Sequence, residues 1–446
     1  MREVYLAFLG ANDYDPAVYY LGDKTASITP YVQVAELEIY GKDYFDKIFI
    51  ALTKTSKEKH FLNLKKELES LGINSIQPII IPEELDPNSQ WKGFENILAN
   101  IEEDDELVVD LTHGFRIIPI IFSTAIYFLQ KIKNVKLKAV YYGAYEENKN
   151  ESPIVDVKDF YIVNEWADAV GRLVEDADAS KLAKLSKKDS EISGIQISKL
   201  NNRGLLDSFE DLTNSIKGVE LNQISSKANK IITNINQVYQ DNNSLTTNIL
   251  LSLIKDKFKS LTTDKLSKDN SNQYNKEYFE VQLNFIKLLL DHKLFMQCFT
   301  AMREFIVSLT DMEVKKQIKK LNETIWKDKG RKKHKKYLAR SRKDFSDKII
   351  GMLCTEKEKW NFKSPIDPEG EKSEAILYPV YDKFKEIGIE EKLRKLVPKL
   401  QEYRNGFDHG WTGNKKQCMP DDISNKAEEF YSKLKEINEI FFSSPT

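Results

Sequence analysis

Three short stretches hold residues whose types and spacing could do chemistry. In QEYRNGFDHGW, residues 401–411, four residues separate Arg404 from His409, Asn405 directly follows the arginine, and Gly406 and Gly410 lie nearby. A guanidinium is a fixed positive charge that can stabilise developing negative charge, and an imidazole with an unperturbed pKa of about 6.5 passes protons either way near neutrality. In DLTHGFR, residues 110–116, Asp110 closes an apolar run, and Thr112, His113, Gly114 and Arg116 stand before an apolar helical stretch. A helix N-terminus favours a phosphate there, Arg116 adds a bidentate donor, and Gly114 lets backbone approach a ligand closely. In GANDY, residues 10–14, Gly10, Ala11 and Asn12 follow the first apolar run. Glycine permits a tight turn at that point, and asparagine offers both donors and an acceptor. The first two stretches also have a plain structural reading. Arg404 and His409 can be cations at a helix C-terminus, while Asp110 and Thr112 can cap a helix beside solvated His113 and Arg116. With 10 Arg and 5 His in 446 residues, about 0.3 chance pairs arise at the tolerated spacings, so the pair alone does not decide.

The elements that must position these residues change character along the chain. Up to about residue 160, apolar runs at 4–10, 47–53, 76–82, 106–112 and 135–145 read as strands, and stretches at 58–71, 91–101 and 118–132 read as helices. Apolar strands alternating with helices predict an α/β, mostly parallel, doubly wound, Rossmann-like sheet, which binds ligands beyond the carboxyl ends of its strands. Neither GxGxxG nor GxxxxGK[ST] occurs, so neither a dinucleotide nor a nucleoside triphosphate is indicated. After about Trp166 the strand signals stop and the pattern becomes helical. Leu294, Phe295, Cys298, Phe299, Met302, Phe305, Ile306 and Leu309 fall on one stripe, which reads as core. Polar segments at 176–193 and 265–275 read as linkers or helix connections. The expected organisation is an α/β domain over 1–165, a helical connecting region over 166–275 and an all-α domain over 276–446. LRKLVPKLQEYRNGF is helical up to Phe407. Arg404 and His409 would lie about 140° apart on an ideal helix, so the two glycines are expected to end it and turn His409 back toward Arg404.

Composition narrows the function classes. The 67 basic and 69 acidic residues nearly cancel to a formal charge of −2, so any nucleic-acid site must be local. Cys298, Cys354 and Cys418 are far apart and form no CxxC, which suggests neither a disulfide framework nor a zinc cluster. The start of the chain lacks the pattern of a signal peptide, and no apolar run has the length of a membrane span, so a soluble, cytoplasmic protein is expected. Trp326–Lys343 packs basic residues around Trp326 and Tyr337; it could track a phosphate backbone or be a solvated face.

Taken together, FLGANDYDPAVYYLG, DLTHGFRIIPI, VYYGAYE and PIVDVKDFYIVNEW resemble the CARF domain of CRISPR-associated CARF–HEPN ribonucleases of type III systems, over roughly residues 1–170. The resemblance implies a sensor that binds a cyclic oligoadenylate across a two-fold dimer axis, with Gly10, Ala11, Asn12, Thr112, His113, Gly114 and Arg116 lining the ligand. Ala11 stands where relatives often carry a small hydroxyl residue. RNGFDH likewise resembles the R-x4-6-H motif of HEPN ribonucleases, including a polar residue after the arginine. That resemblance implies metal-independent cleavage of single-stranded RNA at a composite site built by two protomers from Arg404, Asn405 and His409. RNA carries its own nucleophile, so the expected ends are a 2′,3′-cyclic phosphate and a 5′-hydroxyl. No cofactor or metal is expected. The activator by resemblance is cyclic tetra-adenylate, with the hexa-adenylate as the other ring, and the partner is a second copy in a homodimer or larger assembly.

Two other functions fit parts of the same sequence. A ligand-responsive transcription regulator would use the helical half and the basic stretch to bind DNA, but would have no need of Arg404 and His409. A CARF ring nuclease would degrade the cyclic messenger at the sensor loops.

Overall fold

The computed structural model describes residues 1–84, 86–113, 118–145, 151–188, 200–240, 244–263, 274–324, 344–363, 370–411 and 422–443. The chain divides into two compact units, Met1–Trp166 and Ala167–Thr446.

The first unit is built on eight strands: β1 (Glu3–Leu9), β2 (Tyr19–Leu21), β3 (Lys24–Thr25), β4 (Lys47–Leu52), β5 (Ile76–Ile80), β6 (Glu106–Asp110), β7 (Lys136–Gly143) and β8 (Ser152–Asp156). They form one sheet in the order β3-β2-β8-β7-β6-β1-β4-β5. Pairing is parallel from β7 through β6, β1 and β4 to β5. β8 runs antiparallel to β7, and β3 antiparallel to β2. The sheet is thus Rossmann-like with a mixed edge.

β1 shows why this chain folds as a two-faced sheet. Val4 through Leu9 are all buried, as expected of a strand covered on both sides. Tyr5, Ala7 and Leu9 join one core with Val32, Val34, Ala35, Leu64 and Leu68; Val4, Leu6 and Phe8 join the other with Ile97, Phe122, Ile126 and Leu129. The helices Val32–Tyr40 and Leu62–Ser70 therefore cover one face, and Pro87–Leu98 and Ile118–Ile132 the other. From β1 the chain passes to β4 on one side and later to β6 on the other, so the strand order reverses at β1. The ends of β1 and β6 flank the crevice where open α/β sheets hold ligands.

Three strands and one helix escape the sequence reading. β2 and β3 are three and two residues long, too short to show a period. β8 begins Ser152-Pro153 and lies in the mixed edge. The helix Val32–Tyr40 has no polar face over its first turns, because Gln33 and Glu36 are buried along with Val32, Val34, Ala35 and Leu37.

Every described element after Asp156 is helical. The segment read as a linker at 176–193 contains the helix Ser180–Lys188, whose few apolar positions gave a weak signal. The 30-residue helix Phe295–Thr324 packs against Lys276–Asp291, Glu371–Glu386, Glu390–Asp408 and Ile423–Ser443. Its stripe Cys298, Phe299, Met302, Phe305, Ile306 and Leu309 is buried, while Leu294 and Phe295 are half-buried at its start. The stripe is core. None of the described helices is long and apolar enough to cross a membrane.

Candidate functional site

β1 and β6 pair in parallel with Ala7 opposite Asp110, so the segments that follow them leave the sheet side by side. They touch. A Cβ on Gly10 would lie 2.7 Å from the His113 carbonyl oxygen and 3.0 Å from the Tyr14 hydroxyl, closer than real Cβ contacts allow. Glycine at position 10 is therefore needed for close approach, whereas the sequence suggested a tight turn there. The rest of this loop is held from the side by a π-helical turn, Lys57–Phe61, a distortion common at functional sites. Lys59 Nζ donates to the Ala11 carbonyl at 2.9 Å and pairs with Asp13 at 2.8 Å. His60 Nε2 lies 2.8 Å from the Asn12 carbonyl oxygen. A carbonyl only accepts, so Nε2 carries the proton and Nδ1 is left to accept from the Tyr31 hydroxyl at 3.4 Å. The Asn12 side chain itself is exposed.

The β6 segment is organised by a buried carboxylate. Asp110 Oδ1 accepts from the Thr112 N–H at 2.9 Å and from its hydroxyl at 2.5 Å, and Oδ2 accepts from Gln33 Nε2 at 2.9 Å. The Thr112 hydroxyl also accepts from the Gly143 N–H at the end of β7, at 2.7 Å. Thr112 thus spends its hydroxyl proton on Asp110 and ties the ends of β6 and β7 together. Burial pushes the Asp110 carboxyl up to about 6, against the opposing effect of its Thr112 and Gln33 hydrogen bonds. Beneath it, Glu36 is fully buried and accepts from the Tyr5 hydroxyl at 2.7 Å. Burial first, and Asp110 second, hold its carboxyl well above the usual range.

His113 packs its ring on Tyr14 at 4.1 Å between centroids, and Tyr14 in turn packs on His60 at 4.7 Å. Burial, helped by the nearby His60, lowers the His113 imidazole to about 4, so the ring is neutral at physiological pH. It can offer a hydrogen bond to a ligand but no positive charge. Its Nε2 is buried with no hydrogen-bond partner, an unmet polar atom at the meeting point of the two loops. Gly114 and Arg116 lie outside the described residues. Of the seven sensor residues read from the sequence, five are described, and these five converge here.

The sequence reading missed Tyr14, Gln33, Glu36, Lys59 and His60. Gln33 and Glu36 carry a legible signal, since two long polar residues three apart in an apolar helix are rarely buried without a purpose. Lys59 and His60 carry none, because a π turn has no pattern of its own.

The second candidate site stands at the end of the helix Glu390–Asp408. Here the structure corrects the expected role of one glycine. Gly406 does not end the helix; it lies buried within it, and a Cβ there would come within 2.4 Å of the Trp411 ring. The helix ends at Asp408, with His409 as its cap. The Gly410 N–H reaches the Phe407 carbonyl at 3.3 Å and the Trp411 N–H reaches the Gly406 carbonyl at 2.8 Å. With Gly410 at φ +56°, this is the Schellman closure of a helix. The Trp411 ring folds back edge-to-face on Phe407 and Tyr403, and Tyr403 stacks on Phe299 of the central helix. The turn carrying His409 is thereby anchored to the core.

Asn405 and His409 are exposed and Arg404 is half-exposed. Arg404 Nη2 pairs with Asp408 Oδ2 one turn on, at 3.0 Å. The structure brings Arg404, Asn405 and His409 to one helix end, with Asp408 beside the guanidinium as a partner that the sequence reading had not assigned. Among the described residues no three His, Cys, Asp or Glu gather as a metal site. The basic stretch at 326–343 lies outside the described residues.

Residues 4–146 match the family model described as "CRISPR system endoribonuclease Csx1, CARF domain". Over 152 residues the chain is 26% identical to the CRISPR-associated protein MJ1674 of Methanocaldococcus jannaschii, an alignment covering 32% of this chain and 24% of that relative. The chain thus spans about a quarter of the length of the curated relative it matches. The family-model match lies within the unit that carries the adjoining β1 and β6 loops. That unit is a CARF domain, and the chain is a CRISPR CARF-containing protein.

Proposed function

We propose that this protein is an ancillary endoribonuclease of type III CRISPR defence, activated by a cyclic oligoadenylate bound at the CARF loops and cutting single-stranded RNA without a metal. The CARF match and the family's description as an endoribonuclease support the class. The observation that carries the catalytic half is the helix end at 404–411, where Arg404, Asn405 and His409 stand at a surface turn fixed by Trp411 packing. Arg404 would hold the scissile phosphate and stabilise its developing charge, and His409 would move the proton of the attacking 2′-hydroxyl or of the leaving oxygen. Asn405 would orient either group. One protomer offers one such set, and the reading assigns the complete site to two protomers of a homodimer. A cyclic oligoadenylate has matching symmetry, so a two-fold pair can present the same loops to each half of the ring. Activation then requires the ring to bind the cutting arrangement better than the idle one. Gly10, Ala11, Asn12, Thr112, His113, Gly114 and Arg116 are the proposed ligand residues, with Thr112 acting through the loop geometry it maintains.

The test is cleavage of labelled RNA in excess chelator, with cyclic tetra-adenylate, cyclic hexa-adenylate or no ring. Ring-dependent cuts ending in 2′,3′-cyclic phosphate are expected, with tetra-adenylate the stronger activator and DNA spared. Ring binding without any cleavage would refute the ribonuclease and favour a regulator; disappearance of the ring alone would indicate a ring nuclease.

A further inference from the structure

Gln33 occupies an unusual place beneath the CARF loops. It stands in the first turn of the helix Val32–Tyr40 and is fully buried. Its Nε2 donates to the Phe8 carbonyl at 3.0 Å, near the end of β1, and to Asp110 Oδ2 at 2.9 Å, at the end of β6. Both partners are acceptors, so the amide has one sensible orientation; flipping it would set oxygen against oxygen. The result is that Oε1 stays buried with no hydrogen-bond partner. Leaving a buried acceptor unmet is costly, and the fold tolerates it to keep both donor contacts. Apolar side chains would fill the space without that cost.

The consequence lies one bond further out. Asp110 receives Gln33 on one oxygen and Thr112 on the other, and Thr112 takes the Gly143 N–H. Gly10, one residue beyond β1, has no room for a Cβ against the His113 carbonyl. A small change in spacing between the ends of β1 and β6 would therefore open or jam the contact between the two loops. Gln33 hydrogen-bonds to both strand ends.

We infer that Gln33 is a positioning residue, whose amide locks the ends of β1 and β6 at the spacing that the two ligand loops require. The ligand part of this inference rests on the sensor reading proposed above; the lock itself does not. The carboxylate it holds is faced by Glu36 from the same helix and by the Tyr5, Tyr14 and Tyr19 hydroxyls from β1, its following loop and β2. None of these is a cation at neutral pH, so the amide and Thr112 are its stabilising partners. Removing the amide makes the carboxyl easier to protonate, and a protonated Asp110 holds Thr112 less well.

The experiment uses the full chain carrying Gln33→Met, which keeps length and loses both donors. Gln33→Asn, whose shorter amide cannot span both acceptors, serves as a milder second variant should the first fail to fold by circular dichroism. Hydrogen exchange followed by mass spectrometry without ligand should show faster exchange at the Thr112 and Gly143 amides, and not in the helical unit. Affinity for cyclic tetra- and hexa-adenylate, measured by calorimetry from pH 5 to 8, should fall by about tenfold or more at pH 7, as for loss of a charge-assisted hydrogen bond. The pH below which binding weakens should also rise relative to the unmodified protein. Unchanged exchange at both amides overturns the lock, and so does an affinity loss with the same pH midpoint. If the unmodified protein binds neither ring while exchange still quickens in the variant, the sensor reading fails and the lock stands.

Discussion

The indole of Trp411 rests against the backbone of Gly406, so close that a Cβ there would lie 2.4 Å from the ring. This contact folds the end of the helix Glu390–Asp408 back on Tyr403 and Phe407 and decides where His409 stands. Gly406→Ala must push the ring aside. Overpacking of this kind costs about 1–3 kcal/mol, and the displaced turn should reduce RNA cleavage more than global stability. Urea denaturation beside cleavage rates checks this, and undiminished cleavage by the Gly406→Ala variant would show that the turn tolerates displacement.

His409→Ala should lower ring-activated RNA cleavage by at least about 100-fold, the lower range of what general acid–base catalysis supplies, and leave affinity for the ring unchanged. Arg404→Ala should do the same through loss of charge stabilisation. Cleavage at normal rate in either variant removes the catalytic assignment. Asp408→Asn, which breaks only a half-exposed ion pair with Arg404, should change stability by less than about 1 kcal/mol.

Two groups in the CARF unit should give opposing pH dependence. The folded Asp110 carboxyl is raised to about 6, so the folded state binds the proton more tightly than the unfolded chain. The resulting stability is present at pH 4 and lost as pH rises through 6, by roughly 3 kcal/mol. Glu36, raised in the same way, adds to that trend. His113 is lowered to about 4, so its contribution is present above about pH 6.5 and lost as pH falls through 4. The two trends offset each other. Asp110→Asn should make the unit more sensitive to acid between pH 6.5 and 4, and His113→Gln should make it lose stability as pH rises from 4 to 6. Urea denaturation over that range separates them, and parallel pH profiles in the two variants would rule out the assignment.

Thr112→Val removes the hydroxyl that joins Asp110 to the Gly143 N–H and leaves both groups buried. A loss of about 1–3 kcal/mol is expected for such unmet polar groups, with weaker ring affinity as the β6 loop loosens. Denaturation and calorimetry on one preparation test both parts, and an equally stable Thr112→Val protein would show that the hydroxyl is dispensable.

Lys59→Met frees the Ala11 carbonyl and Asp13 from their shared cation. The first loop should become more mobile, and ring affinity should fall while depending less on salt, as when a cation near phosphate is removed. Affinities at two salt concentrations decide it; identical slopes would place Lys59 outside the ligand's field.

The order of types along the chain by itself determined the division into an α/β half and a helical half. Apolar runs long enough to be buried on both faces, such as Val4–Leu9, and the stripe from Cys298 to Leu309 are dictated by periodicity. It also marked the three stretches that carry the candidate chemistry, although residue types and spacing alone fit a helix cap as well, and the family resemblance was needed to choose between the two. Only the tertiary structure decided what those residues touch. Gln33 and Asp110 stand 77 positions apart, and His60 and Asn12 stand 48 apart; they meet because parallel strands bring distant ends together, a relation that no local pattern records. The role of Gly406 was decided in the same way, by a ring five residues later folding back onto it.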